Sequence, residues 1–172
     1  MTGPKSINEL NADLFQSEEV DRFSDPKEIR RKAMDFLARR EYGRGELAER
    51  LEKGGFDPDL TQDVVQRLAE EGLQSDSRFA ESFVQSRINQ GKGPVRIRQE
   101  LKERGLAGSA VDTALEEAGE DWFALARAVR RRKFGDELPA DFKDKARQMR
   151  FLQYRGFDAD HLQAAVSTHG ED

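Results

Sequence analysis

The chain of 172 residues is 36% hydrophobic and 37% charged, has no cysteine and has a mean hydropathy of −0.85, a balance that favours a surface-rich helical protein over a globule with a deep core. The lack of cysteine excludes disulfides and thiolate chemistry and suits a reducing compartment. The start of the chain has no basic segment followed by an apolar run, and no stretch approaches the roughly 20 apolar residues that span a bilayer, so a soluble, cytoplasmic protein without membrane contact is expected. The net charge of −5 is unevenly placed. Residues 1–25 hold six acids and two bases, leaving 28 acids against 27 bases in residues 26–172. Global charge therefore argues against nucleic acid, but local clusters can still attract phosphate or acidic protein.

Residues 1–25 read as an acidic, mostly disordered arm, since their composition cannot bury enough surface to offset the entropy of ordering. Leu10, Leu14 and Phe15 admit at most a short helix there. Asp25-Pro26-x-Glu28 predicts a capped helix start with a capping-box-like arrangement, followed by Ile29, Ala33, Phe36 and Leu37 on one face of a helix over 26–41. A second helix runs from about Arg44 to Gly54, with Leu47 and Leu51 inward, and Asp57-Pro58 opens a third carrying Leu60, Val64, Val65 and Leu68. The helix over 76–90 carries Phe79, Phe83, Val84 and Ile88, then Gly91-Lys92-Gly93-Pro94 turns the chain into a helix with Ile97 and Leu101. Further helices follow around Val111–Ala118, over 121–134 with Trp122, Leu125 and Val129 on one face, and around Leu162–Val166, before a tail at 168–172.

Leu51-x3-Gly55-Phe56 returns as Leu101-x3-Gly105-Leu106 and again as Leu152-x3-Gly156-Phe157, at spacings of 50 and 51 residues. Each glycine falls where a helix must stop and reverse, a place for the left-handed conformation. The period predicts an all-α fold of three tandem three-helix repeats in an elongated array, spanning 26–74, 75–119 and 120–167, with neighbouring repeats supporting one another.

Catalytic chemistry has little to work with. Nucleophilic mechanisms need a side chain poised by a base, and the two histidines, His161 and His169, have no partner fixed by spacing and read as solvated. Asp57, Asp59, Glu70 and Glu71 fall at helix ends, where they cap or complement the dipole. No His/Asp/Glu set has metal-ligand spacing, and Gly91-Lys92-Gly93-Pro94 lacks the strand, the leading glycine and the Ser/Thr of a phosphate loop. No catalytic, metal or cofactor site is expected. The basic clusters are more informative: Arg87, Lys92, Arg96, Arg98 and Lys102 lie on the central helical hairpin, and Arg127, Arg130 and Arg131 lie away from the apolar face of their helix. A solvated face with local pairs such as Glu100–Arg104 is the plain account. Arg127 to Lys133 has no intervening acid, however, so these eight residues are the candidate partner-binding set, facing protein or phosphate.

Asp76-x2-Phe79-Ala80-x2-Phe83-Val84-x2-Arg87, followed by Lys92-Gly93-Pro94-x2-Ile97-x3-Leu101-x3-Gly105, resembles the motif of the RecX regulatory proteins. Glu46-Leu47-x3-Leu51-x3-Gly55-Phe56 matches the preceding repeat, and the resemblance runs from about residue 26 to 167. It implies a non-enzymatic bacterial regulator that binds the RecA–single-stranded-DNA filament, lodges in its groove and limits strand exchange, ATP hydrolysis and co-protease activity, thereby modulating DNA repair and the SOS response. RecA is the implied partner, single-stranded or duplex DNA stays open as a further contact, and a monomer is expected. One departure is Gly43-Arg44-Gly45, where a side-chain cap would be expected.

Two other readings compete. Glu46 to Leu73 resembles a helix-turn-helix of a DNA-binding transcription factor, but its second helix opens with Asp57 and Asp59 and adds Asp63, which repel phosphates. A helical-repeat scaffold unrelated to recombination would have no effect on a RecA filament.

Overall fold

The computed structural model describes residues 3–4, 6–9 and 22–167. From Pro26 onward the described residues form nine helices: α1 Pro26–Leu37, α2 Arg44–Lys53, α3 Pro58–Glu70, α4 Asp76–Asn89, α5 Pro94–Glu103, α6 Ser109–Ala118, α7 Trp122–Phe134, α8 Phe142–Tyr154 and α9 Ala159–Val166. Aspartates open five of them. Asp25, Asp57, Asp121, Asp141 and Asp158 each accept a backbone N–H from the first turn, satisfying a donor that the helix itself cannot. Glu28 does not complete a capping box at Asp25; it turns to Arg31, at 2.9 Å. Gly43 opens α2 with no side-chain bond, as the sequence led one to expect.

The helices close by a shared device. In α2, α5 and α8 a leucine carbonyl accepts the N–H five residues on: Phe56 to Leu51 at 3.2 Å, Leu106 to Leu101 at 2.9 Å, Phe157 to Leu152 at 3.2 Å. The N–H of the glycine between bonds the carbonyl three residues back, 3.0 Å in all three. This double bond pattern needs a left-handed residue, and Gly55, Gly105 and Gly156 have φ of 98°, 87° and 99°. The three leucines are completely buried, each contributing about 2 kcal/mol through removal from water.

Three apolar clusters match the three repeats. Ile29, Leu47, Leu51, Val65 and Leu68 centre the first; Phe79, Val84, Ile97, Leu101 and Val111 the second; Ala126, Val129, Leu152, Phe157 and Leu162 the third. In each, the third helix packs on the first: α3 on α1, α6 on α4, α9 on α7. The chain divides into two compact units, residues 1–75 and 76–172. Within the second unit, Leu125 packs against both of its clusters and Trp122 against the cluster of α4–α6. The face of α7 read as one stripe thus serves two cores.

Two local differences from the sequence reading concern the first unit. The helix expected over 26–41 stops at Leu37, because the chain turns to bury Tyr42, which is 6% exposed and packs on Phe36 with ring centroids 5.6 Å apart. Buried Gln74 then donates to the Tyr42 carbonyl at 3.1 Å. The expected disordered arm falls largely outside the described residues, as does the tail at 168–172. Phe23, however, packs edge-on to Phe56 at 5.5 Å, and its carbonyl accepts the Asp57 N–H at 3.0 Å. Ordered packing therefore begins before Asp25.

Gly105 and Gly156 separate backbone strain from space. A Cβ at Gly105 would meet no atom within 4 Å, whereas one at Gly156 would lie 2.2 Å from Cβ of Arg96. Gly105→Ala should cost about 1 kcal/mol, from the left-handed conformation alone, and Gly156→Ala at least twice as much. Denaturant unfolding measures both, and equal losses would contradict the close approach at Gly156.

Candidate functional site

The central hairpin is built from two helix ends. α4 ends on Gly91, φ 74°, with the Lys92 N–H returning to the Arg87 carbonyl at 3.0 Å. α5 starts with Gly93 extended and Pro94 in the first turn, so no side chain caps it. Its free N–H groups meet the free carbonyls at the end of α8: Gly93 bonds the Arg155 carbonyl at 2.9 Å and Val95 the Gly156 carbonyl at 3.0 Å. The positive end of one helix therefore rests on the negative end of another, and each supplies what the other lacks. Glycine is required at Gly93 because a Cβ would lie 2.4 Å from the Gly156 carbonyl oxygen. Two arginines clasp the joint from opposite sides: Arg96 Nη1 donates to the Tyr154 carbonyl at 3.0 Å, and Arg155 Nη2 donates to the Gln90 carbonyl.

Three of the candidate cations converge beside this joint. Arg87 Nε and Lys92 Nζ each lie 3.0 Å from the Glu100 carboxylate, and Arg96 Nε lies 3.8 Å from it. Arg87 and Lys92 are only 17% and 16% exposed. Arg87 also stacks over Phe83 at 4.1 Å, so its guanidinium is enclosed on two sides. Partial burial works against ionisation of Glu100, but the hydrogen bonds and charges of Lys92 and Arg87 outweigh it and hold the carboxyl below the ordinary glutamate value of 4.5. Glu100 thus serves Arg87, Lys92 and Arg96, and Arg104 lies over the Phe83 ring at 5.0 Å.

The other candidates face different surroundings. Arg98 pairs with Asp112 of α6 and stays half exposed. Lys102 is exposed and Arg127 half-buried, and neither has an ion pair among the described residues. Arg131 lies 3.3 Å from Asp136, with both side chains largely in water. Arg130 departs from the expected outward placement: it is 3% exposed and donates to the Glu137 carbonyl at 3.1 Å and to Gln148 at 3.4 Å. It holds the α7–α8 loop from inside, because that loop leaves a carbonyl needing a donor. The structure therefore gathers Arg87, Lys92 and Arg96 around one carboxylate and leaves Lys102 and Arg131 exposed and Arg127 half-buried, away from that cluster.

Sequence reasoning also missed two residues. His161, expected to be solvated, is 6% exposed; its Nδ1 accepts the Asp158 N–H at 3.3 Å, and Phe123 meets its ring edge-on at 4.8 Å. A histidine at the third position of a helix can reach back as a capping-box residue, which is the signal that was available. Tyr154, overlooked entirely, stands 74% exposed beside the joint with Arg96 5.1 Å from its ring centre. Its offset from buried Leu152 at the helix end was the available signal.

Comparison with known proteins follows the same three-part division. Residues 30–68, 75–115 and 119–166 match the first, second and third three-helix domains of RecX. The regulatory protein RecX of Halorhodospira halophila is 51% identical over 144 residues, covering 84% of this chain and 89% of that protein. The chain belongs to the RecX family. The RecX regulatory protein of Pseudomonas fluorescens is 49% identical, again over 84% of this chain and 93% of its own length. A crystal structure of RecX from Lactobacillus salivarius shares the fold with a TM-score of 0.66 at 22% identity, covering 83% of this chain and 94% of that one. The α4–α5 turn and the three cations around Glu100 thus lie in the second RecX domain, and the carbonyls that receive the turn lie in the third.

The Glu100 cluster has a defined pH signature. A carboxyl whose folded pKa is lowered adds stability that is complete above its unfolded value, near 4.5, and disappears as pH falls through the folded value. Glu100→Gln should therefore be less stable than wild type at pH 7. The difference between them should close as pH falls below 4.5 and on through the lowered folded value. Melting curves across that range test it, and a difference constant with pH would remove Glu100 as the titrating group.

Proposed function

We propose that this RecX protein binds the RecA–single-stranded-DNA filament and restrains its recombinase, ATPase and co-protease activities, thereby modulating DNA repair and the SOS response. The observation that carries the reading is family membership through all three domains, at about half identity to curated regulatory proteins named RecX. The division into 26–74, 75–119 and 120–167 supports it, because three linked modules make weak contacts effective through high local concentration. The contacts fall on Lys102 and Arg131, which are exposed, and on half-buried Arg127, which has no ion pair among the described residues, with Arg98, exposed but paired to Asp112, at the margin. The acidic start of α3, with Asp59 and Asp63 exposed, speaks against a duplex-DNA reader built on α2–α3.

RecA ATPase on single-stranded DNA, titrated with the protein, is the direct test. The rate should fall with added protein, and an unchanged rate at saturating excess would defeat the proposal.

Charge reversal separates contact from fold. Lys102→Glu combined with Arg127→Glu and Arg131→Glu should weaken filament binding by about tenfold or more, while each change shifts stability by only about 0.5 kcal/mol. Wild-type binding should also weaken as salt rises. A folded triple variant that binds like wild type, with the same salt response, would return these residues to the solvated surface.

A further inference from the structure

A cavity of about 360 Å³ opens beside the α5–α8 joint. Val95, Gln99 and Glu103, at successive turns of α5, form one wall, and Gln153 and Tyr154 of α8 form the other. Val95 and Tyr154 are 51% and 74% exposed, so apolar surface is left uncovered here. The charges are unequally satisfied. Glu100 is held by three cations, and Arg96 is engaged by Glu100 and by the Tyr154 carbonyl. Glu103 is exposed and forms no ion pair with any described residue. Glu103 is therefore a carboxylate in the cavity wall with no ion-pair partner among the described residues, and it shares the cavity with a largely exposed phenol ring that has the Arg96 guanidinium 5.1 Å from its centre.

We infer that this cavity receives an arginine side chain from a protein partner. The guanidinium stacks on the uncovered part of the Tyr154 ring and pairs with the Glu103 carboxylate, and its methylene stem lies along Val95. Arginine fits better than lysine because its planar group can stack and present a fork of donors at the same time. The Gln99 and Gln153 amides supply carbonyl acceptors for its remaining N–H groups. A nucleic-acid strand is disfavoured, because any base stacked on Tyr154 would bring its phosphates towards an unneutralised carboxylate. The inference goes beyond the RecA proposal and stands without it, since it follows from the cavity wall alone.

The test is an NMR titration of the full chain with three probes: the blocked peptide Ac-Ala-Arg-Ala-NH2, its citrulline counterpart and a short oligothymidylate. The arginine peptide should shift the Gln99 and Gln153 side-chain amides and the Tyr154 ring saturably. The citrulline peptide, which keeps the shape without the charge, should not. Glu103→Gln and Tyr154→Ala should each weaken the response at least threefold with unchanged melting temperature. Both side chains are exposed, and alanine at Tyr154 keeps the backbone carbonyl that accepts from Arg96, losing only the exposed ring contact with its guanidinium. No saturable shift, an equal response to citrulline, indifference to both variants, or a response to oligothymidylate alone would overturn the assignment. Because RecA is absent from the experiment, its failure and that of the RecA proposal are separate results.

Discussion

The second unit depends on one meeting of helix ends, the start of α5 against the close of α8. Helix termini leave donors and acceptors that water or a side chain must otherwise satisfy. Here the Gly93 and Val95 N–H groups take the Arg155 and Gly156 carbonyls, with Pro94 between them bringing no N–H that needs a partner. Such a contact demands close approach of two backbones, which is why both sides are glycine: a Cβ on Gly93 or on Gly156 would enter the other chain segment at 2.4 Å or 2.2 Å. The third repeat's closing turn is therefore also the second repeat's cap. A change at either glycine disturbs two domains together.

That joint determines what the neighbouring charges do. Lys92 sits inside the turn and Arg87 one turn before it, and both reach Glu100 on the facing helix. Three cations sharing one carboxylate leave net positive charge, tolerated because the group is only partly buried and because Arg87 lies on the Phe83 ring and Arg96 on a carbonyl. The arrangement pins α4 to α5 at the angle that lets their shared turn reach Gly156. The Lys92-Gly93-Pro94 turn is thus accounted for by packing before any partner is invoked.

The sequence made the repeats legible because the closing turn needs a rigid spacing: a buried leucine, a left-handed glycine four residues later and an apolar residue next to it. All three appear in the structure with the same hydrogen bonds, at Gly55, Gly105 and Gly156. Other features left no periodic trace. Tyr42 enters the core from a loop, Phe23 from before the first capped helix, and Trp122 packs on the repeat preceding its own. Arg130 lay off the apolar stripe of α7, so periodicity placed it in water. It is buried because the long α7–α8 loop folds over it and offers the Glu137 carbonyl, a tertiary fact that no helical period encodes. Tyr154 escaped notice for the opposite reason: an exposed tyrosine is unremarkable until a cavity is seen beside it.

The same distinction governs how the positive charge of this chain should be counted. Arg96, Arg130 and Arg155 each donate to a backbone carbonyl at or beyond the end of a helix, at Tyr154, Glu137 and Gln90. The planar, many-donor guanidinium suits that work better than an ammonium, because it can bond a carbonyl and still offer donors elsewhere. These side chains act as struts, and their charges are partly withdrawn from the surface. The field available to an outside partner is correspondingly smaller than the run from Arg127 to Lys133 suggests. Under the proposed function, attraction of a large negatively charged assembly would rest on separated cations on α5 and α7 acting together, each weak alone and each screened by salt.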